Sequence, residues 1–278
     1  MSSVHPATVS EERGPRPSFR RWFGSDTPAA NAVRTLISFA LLALVWEVLA
    51  RTFITNRLIL VPFSEVMVAL YREAVSGELW RHASISLLEL AIAFPLSVLI
   101  GVALGLVIAS NRLLQQILDP ILTAMYSVPI VALAPLFIAW LGFGVESKVA
   151  VILLVAVFPV IINTEVGLRS TDRGLIETAR SFNAKPWQIF RTVMLPFSIP
   201  FILGGVRVAF TRALVGVVVA EFFGAFAGFG YAILSASQTF GTARLLGYVV
   251  ILALIGMLSS MLLRAWERRL APWRETYE

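Results

Sequence analysis

The sequence predicts an all-α integral membrane protein with six transmembrane helices, and two observations support this fold class. Of the 278 residues, 58% are hydrophobic and only 14% are charged, and the mean hydropathy is +0.81. A soluble domain is closer to half apolar and a quarter charged. The apolar residues are also grouped into runs of about 20, the length that a helix needs to cross the hydrocarbon core of a bilayer.

The first element along the chain is a polar, proline-rich segment at residues 1–31. Such a composition is typical of a disordered tail, which we place on the cytoplasmic side. The tail is too long and too polar for a cleaved signal peptide. We therefore expect the first apolar run to act as an uncleaved membrane signal, and residues 32–278 to form one transmembrane domain.

Six apolar runs follow, and their predicted spans are 33–54, 84–109, 117–141, 148–168, 197–222 and 245–266. Gly101 and Gly105 in the second run form a G-x-x-x-G pair, which lets another helix approach closely. Pro129 and Pro135 predict a kink or a break in the third run. The glycine-rich run 223–243 is too interrupted for a straight span and predicts a short helix or a re-entrant turn.

The arginines and lysines predict the orientation of these spans. If the N-terminus is cytoplasmic, the inner segments carry fifteen of them and the outer segments carry six. Basic residues accumulate on the cytoplasmic side of membrane proteins. Both termini are therefore expected in the cytoplasm, together with the long connection 169–196.

Several classes of function are excluded or disfavoured by the composition. The chain has no cysteine and only two histidines, His5 in the tail and His82, which we expect in a loop, so no metal site is predicted. The basic residues flank apolar runs, which argues against nucleic-acid binding. A G-x-x-x-x-G-K-[ST] nucleotide motif is absent from the sequence. An ion-coupled secondary transporter or a channel stays open as an alternative, although no internal repeat is visible.

The connection 169–196 is amphipathic, unlike its neighbours. Leu175, Ala179 and Phe182 recur at helical spacing and form an apolar side. Glu177 and its charged neighbours occupy the remaining positions of the helix. The helix should end near Asn183, because asparagine tolerates the left-handed conformation that closes a helix.

A second short helix is expected from Pro186, since proline is favoured in a first turn. Trp187 gives that helix an apolar side, and Pro196 should break the chain where it re-enters the membrane. Taken alone, the connection 169–196 could be an amphipathic hairpin that lies on the cytoplasmic leaflet.

The spacing in this connection resembles the EAA motif of ABC importer permeases. Glu177-Thr178-Ala179 is followed by three residues, Asn183, nine residues and Val-Met-Leu-Pro at 193–196. The family pattern is Glu-Ala-Ala, three residues, Gly, nine residues and Ile-x-Leu-Pro. The sequence departs from this pattern at three positions, with Thr178 for Ala, Asn183 for Gly and Val193 for Ile. Asparagine is the least costly replacement for a turn glycine.

The resemblance extends over residues 58–273, to the nitrate, sulfonate, taurine and bicarbonate branch of these permeases. It is carried by segments such as LVPFSEVMVAL, LDPILTAMYSVPIVALAPLFIAWLGFGVESK, FPVIINTEVGL and GVRVAFTRALVGVVVAEFFGAFAGFGYAI. It implies a type I ABC importer permease fold in a bacterial inner membrane. The implied cargo is a small, anionic solute, or alternatively a thiamine-precursor-like pyrimidine or an aromatic solute.

The resemblance also implies partners and roles for residues. The chain would pair with a second permease copy, with two cytoplasmic ATP-binding subunits and with an extracytoplasmic substrate-binding protein. The ATP-binding subunits would hold ATP and Mg. The chain itself would be no enzyme and would hold no cofactor. The ATPase-coupling residues would be Glu177, Thr178, Ala179, Phe182, Asn183, Leu195 and Pro196. Glu177 is expected to cap or salt-bridge within the loop.

Charged residues inside the spans are candidates for a translocation path, because they are costly in a bilayer. Arg207, Arg212 and Glu221 lie in or at the end of the fifth span. They could attract an anion, or the arginines could pair with Glu165, Glu221 or Glu89 and hold the helices together.

The glycine-rich run contains the candidate external gate, Gly228, Gly230 and Tyr231. A tightly packed connection that needs close backbone approach is an equally good interpretation.

Overall fold

The computed structural model describes residues 28–54 and 56–270, and every regular element within them is helical. The predicted tail at 1–31 lies almost entirely outside the described residues. The α-helices are α1 (Pro28–Thr52), α2 (Phe63–Val75), α3 (Glu78–Ser110), α4 (Arg112–Ser127), α5 (Ala134–Leu141), α6 (Val145–Arg169), α7 (Arg173–Ser181), α8 (Pro186–Ile189), α9 (Leu195–Gly224), α10 (Phe229–Gln238) and α11 (Thr242–Leu270). A 3₁₀ turn (Ile130–Leu133) precedes α5, and a π turn (Phe190–Met194) joins α8 to α9.

Five helical segments in the described part of the chain are long and apolar enough to cross a membrane. They are α1, α3, α6, the continuous run from α8 through α9, and α11. A sixth is possible if α4 and the segment Ile130–Leu141 count as one span, and these two pieces are bent by 75°. The predicted break in the third run is therefore confirmed and lies at Pro129, whereas Pro135 sits in the first turn of α5, where proline is tolerated.

The core lies where α6 packs between α3 and α9. Its buried residues are mostly small or β-branched: Leu90, Ala93, Ile152, Ala156, Val160, Ala209, Ala213 and Val217. A Cβ atom on Gly101 would lie 2.6 Å from Cβ of Val160, and one on Gly105 would lie 2.6 Å from Cβ of Thr164. The G-x-x-x-G pair thus permits the close approach that the sequence predicts, and its partner helix is α6.

The directions of the helices define two ends of the bundle. The connection between α6 and α9 (residues 170–194) lies at one end, here called the loop end. α9 has 30 residues and is about 45 Å long, so the turn after it lies at the opposite end. The first residues of α3 and α6 lie at this opposite end as well. The glycine-rich run there contains the short helix α10, as predicted.

The expectation that Pro196 breaks the chain is wrong. Helical structure is continuous from Pro186 to Gly224, a run of 39 residues. Pro196 is the second residue of α9, and only Leu195 separates it from the π turn. The wider turn gives the chain a local change of hydrogen-bond pattern just where proline lacks a backbone donor, so the helix passes through.

Candidate functional site

The first loop helix, α7, is closed at both ends by local hydrogen bonds. Asp172 caps its N-terminus, with Oδ1 accepting from the backbone N–H of Gly174 at 2.7 Å. At the C-terminus Asn183 has a φ of 57°. Its N–H donates to the carbonyl of Arg180 at 2.8 Å, and the N–H of Ala184 donates to the carbonyl of Ala179 at 3.1 Å. This is a Schellman motif with asparagine at the left-handed position, which confirms the prediction that the helix ends there.

The second loop helix, α8, begins at Pro186 as predicted. The N–H of Lys185 donates to Oε1 of Gln188 at 2.8 Å, which satisfies one backbone donor at this helix start. The rings of Trp187 and Phe190 stack with centroids 5.5 Å apart. Ile189 is buried, so α8 packs against the rest of the chain through an apolar side chain.

The loop end exposes apolar side chains to its surroundings. Phe182 is 82% exposed, Trp187 is 65% exposed and Leu175 is 50% exposed. Phe182 is the C-cap residue of α7, and its side chain is the most exposed of these three. A large apolar side chain on a rigid turn costs free energy in water and fits a partner's cleft.

The other residues of the motif have different surroundings. Glu177 is exposed and, within the described residues, forms neither an ion pair nor a side-chain hydrogen bond, so the expected cap or salt bridge is wrong. Thr178 donates its hydroxyl to the carbonyl of Gly174 at 2.7 Å. Ala179 is half-buried, and Leu195 and Pro196 are half-buried in the first turn of α9.

At the opposite end, residues 225–230, here called the Gly-rich turn, are bound by side chains from two helices. The backbone N–H groups of Gly228, Phe229 and Gly230 are the donors. Gly228 donates to Nδ1 of His82 at 3.0 Å, and Phe229 donates to Oγ of Ser86 at 2.7 Å. Gly230 donates to a carboxylate oxygen of Glu221 at 2.5 Å. Three consecutive donors are thus satisfied without help from water.

Two of the candidate gate residues, Gly228 and Gly230, lie in this turn, and the third, Tyr231, follows it in α10. Gly228 has a φ of 122°, and a Cβ atom there would collide with the carboxylate of Glu221. Gly230 lies against the backbone of Val218. The Tyr231 ring lies 6.0 Å from the His82 ring. The geometry is that of a tightly packed connection, the second of the two interpretations.

His82 and Glu221 both differ from their expected settings. His82 is 1% exposed within α3 and not in a loop, because α3 begins six residues before the predicted span. Glu221 is also 1% exposed and accepts from Ser86 at 2.6 Å. Within one chain it binds the Gly-rich turn and does not line an open path.

The two arginines of α9 have contrasting surroundings. Arg207 forms an ion pair with Glu267 near the end of α11, and not with the three carboxylates considered from the sequence. Glu165, one of those three, pairs with Arg169 at 3.2 Å. Arg212 is exposed, and no carboxylate of the described residues forms an ion pair with it.

Sequence reasoning missed a buried cluster near the Gly-rich turn. Nζ of Lys148 donates to the carbonyls of Phe143 and Gly144 at 3.1 and 3.2 Å and lies 3.8 Å from Oε1 of Glu89. Glu89 was considered only as a partner for an arginine, and Lys148 only as a charge outside the membrane. The signal that could have found them is a charged residue within the first six residues of each of two predicted apolar runs.

A cavity of about 450 Å³ lies between α4 and α6 near the loop end. Its polar lining is Gln115, Asp119, Thr123, Glu165, Arg169 and Ser170. Gln115 donates to Asp119 at 2.8 Å, so its acidic groups already have partners. Across the described ranges, no group of three histidines or carboxylates is placed to hold a metal ion.

Residues 97–275 match a family model described as binding-protein-dependent transport system inner membrane component. A putative aliphatic sulfonates transport permease protein of Bacillus subtilis is 36% identical over 88% of this chain and 89% of its own length. A taurine transport system permease protein of Escherichia coli is 32% identical over 85% and 88%. A formylaminopyrimidine transport permease protein of Halalkalibacterium halodurans is 31% identical over 88% and 97%.

Among solved structures, an inward-facing conformation of the MetNI methionine ABC transporter is similar to this chain. The TM-score is 0.58 at 18% sequence identity, and the alignment covers 70% of this chain and 95% of the other. At this identity the similarity concerns the fold. It agrees with the all-helical architecture described above.

Proposed function

This chain belongs to the family of binding-protein-dependent transport system inner membrane components, and from that membership we propose that it imports a small organic anion of the sulfonate and taurine class. It is the permease subunit of an ABC importer, a multi-pass membrane protein whose ATP hydrolysis resides in a separate subunit. The importer also includes a substrate-binding protein. The observation that carries the choice of cargo is the similarity to sulfonate and taurine permeases over nearly the whole chain.

The finer assembly is part of the proposal. Two copies of the chain form a homodimer in the bacterial inner membrane, each with six spans and with both termini in the cytoplasm. The loop end faces the cytoplasm, where the excess of basic residues supports that orientation. ATP and Mg are bound by the two ATP-binding subunits, and this chain holds no cofactor.

The loop helices couple ATP hydrolysis to transport in this proposal. Phe182, Leu175 and Trp187 give each ATP-binding subunit an exposed apolar surface to bind. Glu177, Thr178 and Ala179 lie in α7, the loop helix that the ATP-binding subunit contacts, and Asn183 ends this helix. Leu195 and Pro196 begin α9, to which the motion of the loop is transmitted. The continuous helix from Pro186 to Gly224 supports this role, because a rigid helix transmits a displacement of the loop end into the membrane.

For the translocation path, the contrast between the two arginines favours Arg212. Arg207 is neutralised by Glu267, whereas the exposed Arg212 has no ion-pair partner among the described carboxylates. An uncompensated cation in a span is costly unless it meets water, a partner or an anionic solute. We therefore place Arg212, and not Arg207 or Glu221, on the path of the anion. The Gly-rich turn, with Gly228 and Gly230, closes the opposite end together with the adjacent Tyr231.

The test is ATP-driven uptake by the purified importer in proteoliposomes, with the ATP-binding subunits and the binding protein from neighbouring reading frames. Taurine or an alkyl sulfonate should accumulate only with ATP and the binding protein. Arg212→Gln should abolish uptake while Arg212→Lys retains part of it. Transport by this chain alone, without ATP, would indicate a secondary transporter or a channel.

A second candidate cargo is a pyrimidine, because the formylaminopyrimidine permease is similar over the same part of the chain. Binding of a panel of sulfonates and pyrimidines to the cognate binding protein separates the two. A binding protein that takes only the pyrimidine would overturn the sulfonate assignment and leave the importer assignment intact.

A further inference from the structure

Glu89 is a carboxyl group without a hydrogen-bond donor in the middle of packed helices. Its side chain is fully buried in α3, and neither carboxyl oxygen has a hydrogen-bond partner among the described residues. The nearest cation, Nζ of Lys148, is 3.8 Å away and directs hydrogen bonds to the carbonyls of Phe143 and Gly144. A buried carboxylate in such a position would lose its hydration without compensation.

Glu221 beside it has the opposite setting. It accepts hydrogen bonds from Ser86 at 2.6 Å and from the N–H of Gly230 at 2.5 Å. Gly230 is in the first turn of α10, where the helix dipole favours a negative charge. Glu221 therefore has the surroundings of an ionised carboxylate. Ser86 and Glu89 lie one turn apart on the same face of α3, so the carboxyl group that Ser86 binds lies beside that of Glu89.

The charges of this cluster do not balance if both carboxyl groups are ionised. The charged groups that face Glu89 from neighbouring helices are Lys148 of α6 and Glu221 of α9. His82, two turns earlier on α3, accepts the Gly228 N–H through Nδ1, so that nitrogen carries no proton. Two carboxylates and one ammonium leave an excess negative charge among buried side chains, which is strongly unfavourable.

We propose that Glu89 is a buried proton-binding site, and that its bound proton is donated in a hydrogen bond to Glu221. One proton removes both difficulties, because it supplies the missing hydrogen bond and balances the ammonium of Lys148 against a single carboxylate. The site joins α3, α6 and α9 to the Gly-rich turn, since Glu221 also binds Gly230. It is independent of which solute the importer carries.

Infrared spectroscopy of the purified full-length chain in detergent tests the proposal directly. A protonated carboxylic acid has a carbonyl stretching band that carboxylates lack and that shifts when exchangeable hydrogen is replaced by deuterium. The wild-type protein should show this band. Glu89→Gln should remove it, whereas Glu165→Gln, which alters a carboxylate paired with Arg169, should retain it. Glu89→Asp, which keeps the acid, should move the band.

Thermal unfolding of the same preparations gives a second, independent readout. Glutamine resembles a protonated glutamic acid and differs from an ionised one by a charge. Glu89→Gln should therefore unfold near the wild-type temperature, while Glu221→Gln should unfold several degrees lower. A wild-type spectrum without the band, a band that persists in Glu89→Gln, or the reverse order of the two unfolding temperatures would each overturn the proposal.

Discussion

The two ends of the bundle are built by different kinds of contact. At the loop end, the side-chain hydrogen bonds of α7 and α8 join residues two to four positions apart, such as Asp172 to Gly174 and Thr178 to Gly174. At the opposite end, the Gly-rich turn is bound by side chains as far as 146 residues away in the sequence. One end has a locally determined shape, while the shape of the other depends on buried side chains from distant parts of the bundle.

The two ends should therefore respond differently to substitution. A surface that must bind a partner keeps its shape without help from the rest of the fold, which is what capping at Asp172 and Asn183 provides. The opposite end is held by buried contacts between distant helices, so its shape depends on how those helices pack. We therefore expect substitutions at the opposite end to lower stability, and substitutions at the loop end to lower transport.

Gly228→Ala should have the largest effect on stability. The added Cβ meets the carboxylate of Glu221, and a φ of 122° is unfavourable for alanine. Strain and overpacking of this kind together cost about 3 kcal/mol or more. Thermal unfolding in detergent measures it. The matched control is Gly204→Ala in α9, where nothing lies within 4 Å of the new Cβ, and equal unfolding temperatures for the two variants would contradict the prediction.

His82→Ala should have the next largest effect, because it leaves the N–H of Gly228 buried without an acceptor and removes a buried ring. We expect a loss of about 2–3 kcal/mol. His82→Asn should lose less, since its side-chain oxygen can replace Nδ1 as the acceptor. Unfolding temperatures of the two variants decide this, and a larger loss for asparagine than for alanine would be inconsistent with the hydrogen bond described.

Asn183→Val should have a smaller effect on stability and a large one on transport. A β-branched residue is strained in the left-handed conformation, at a cost of about 1–2 kcal/mol, which the chain avoids by distorting the end of α7. ATP hydrolysis should continue while uptake in proteoliposomes falls more than tenfold. Asn183→Gly keeps the conformation accessible and should retain uptake. Loss of uptake in the glycine variant would refute the role of backbone geometry.

Phe182→Ala should change stability least, because the ring is 82% exposed. Substitutions at such positions change the free energy of unfolding by less than about 0.5 kcal/mol. We nevertheless expect weaker binding of the ATP-binding subunits, seen as their loss during co-purification. Phe240→Ala is a matched control, with a ring 74% exposed at the other end of the bundle. Equal retention of the subunits by both variants would disprove a docking role for Phe182.

The contrast between the ends also explains which features the sequence could predict. The two loop helices, the turn at Asn183 and the start at Pro186 depend on residues within a few positions, so local patterns were sufficient. The break at Pro129 follows from the same kind of local chemistry. The long apolar helices were predictable from hydropathy, although α3 began earlier than its apolar run.

Pairings between distant helices could not be predicted in this way. A span that is apolar on all sides has no polar face to show its rotation. The ion pair between Arg207 and Glu267, and the contacts of His82, Ser86 and Glu221 with the Gly-rich turn, depend on how α3, α9 and α11 cross. The passage of helix through Pro196 was missed because a π turn has no simple sequence signature.

The π turn at Phe190–Met194 sets the rotation of α8 relative to α9 about their common axis. Such a turn contains one residue more than the α-helical path. Each α-helical residue rotates the chain by about 100°, so the π turn places the apolar residues of α8 on a different side of α9 than an uninterrupted α-helix of the same residue count would. The side of α9 on which the apolar residues of α8 lie is thus set by the width of one turn, separately from the chemistry of those residues.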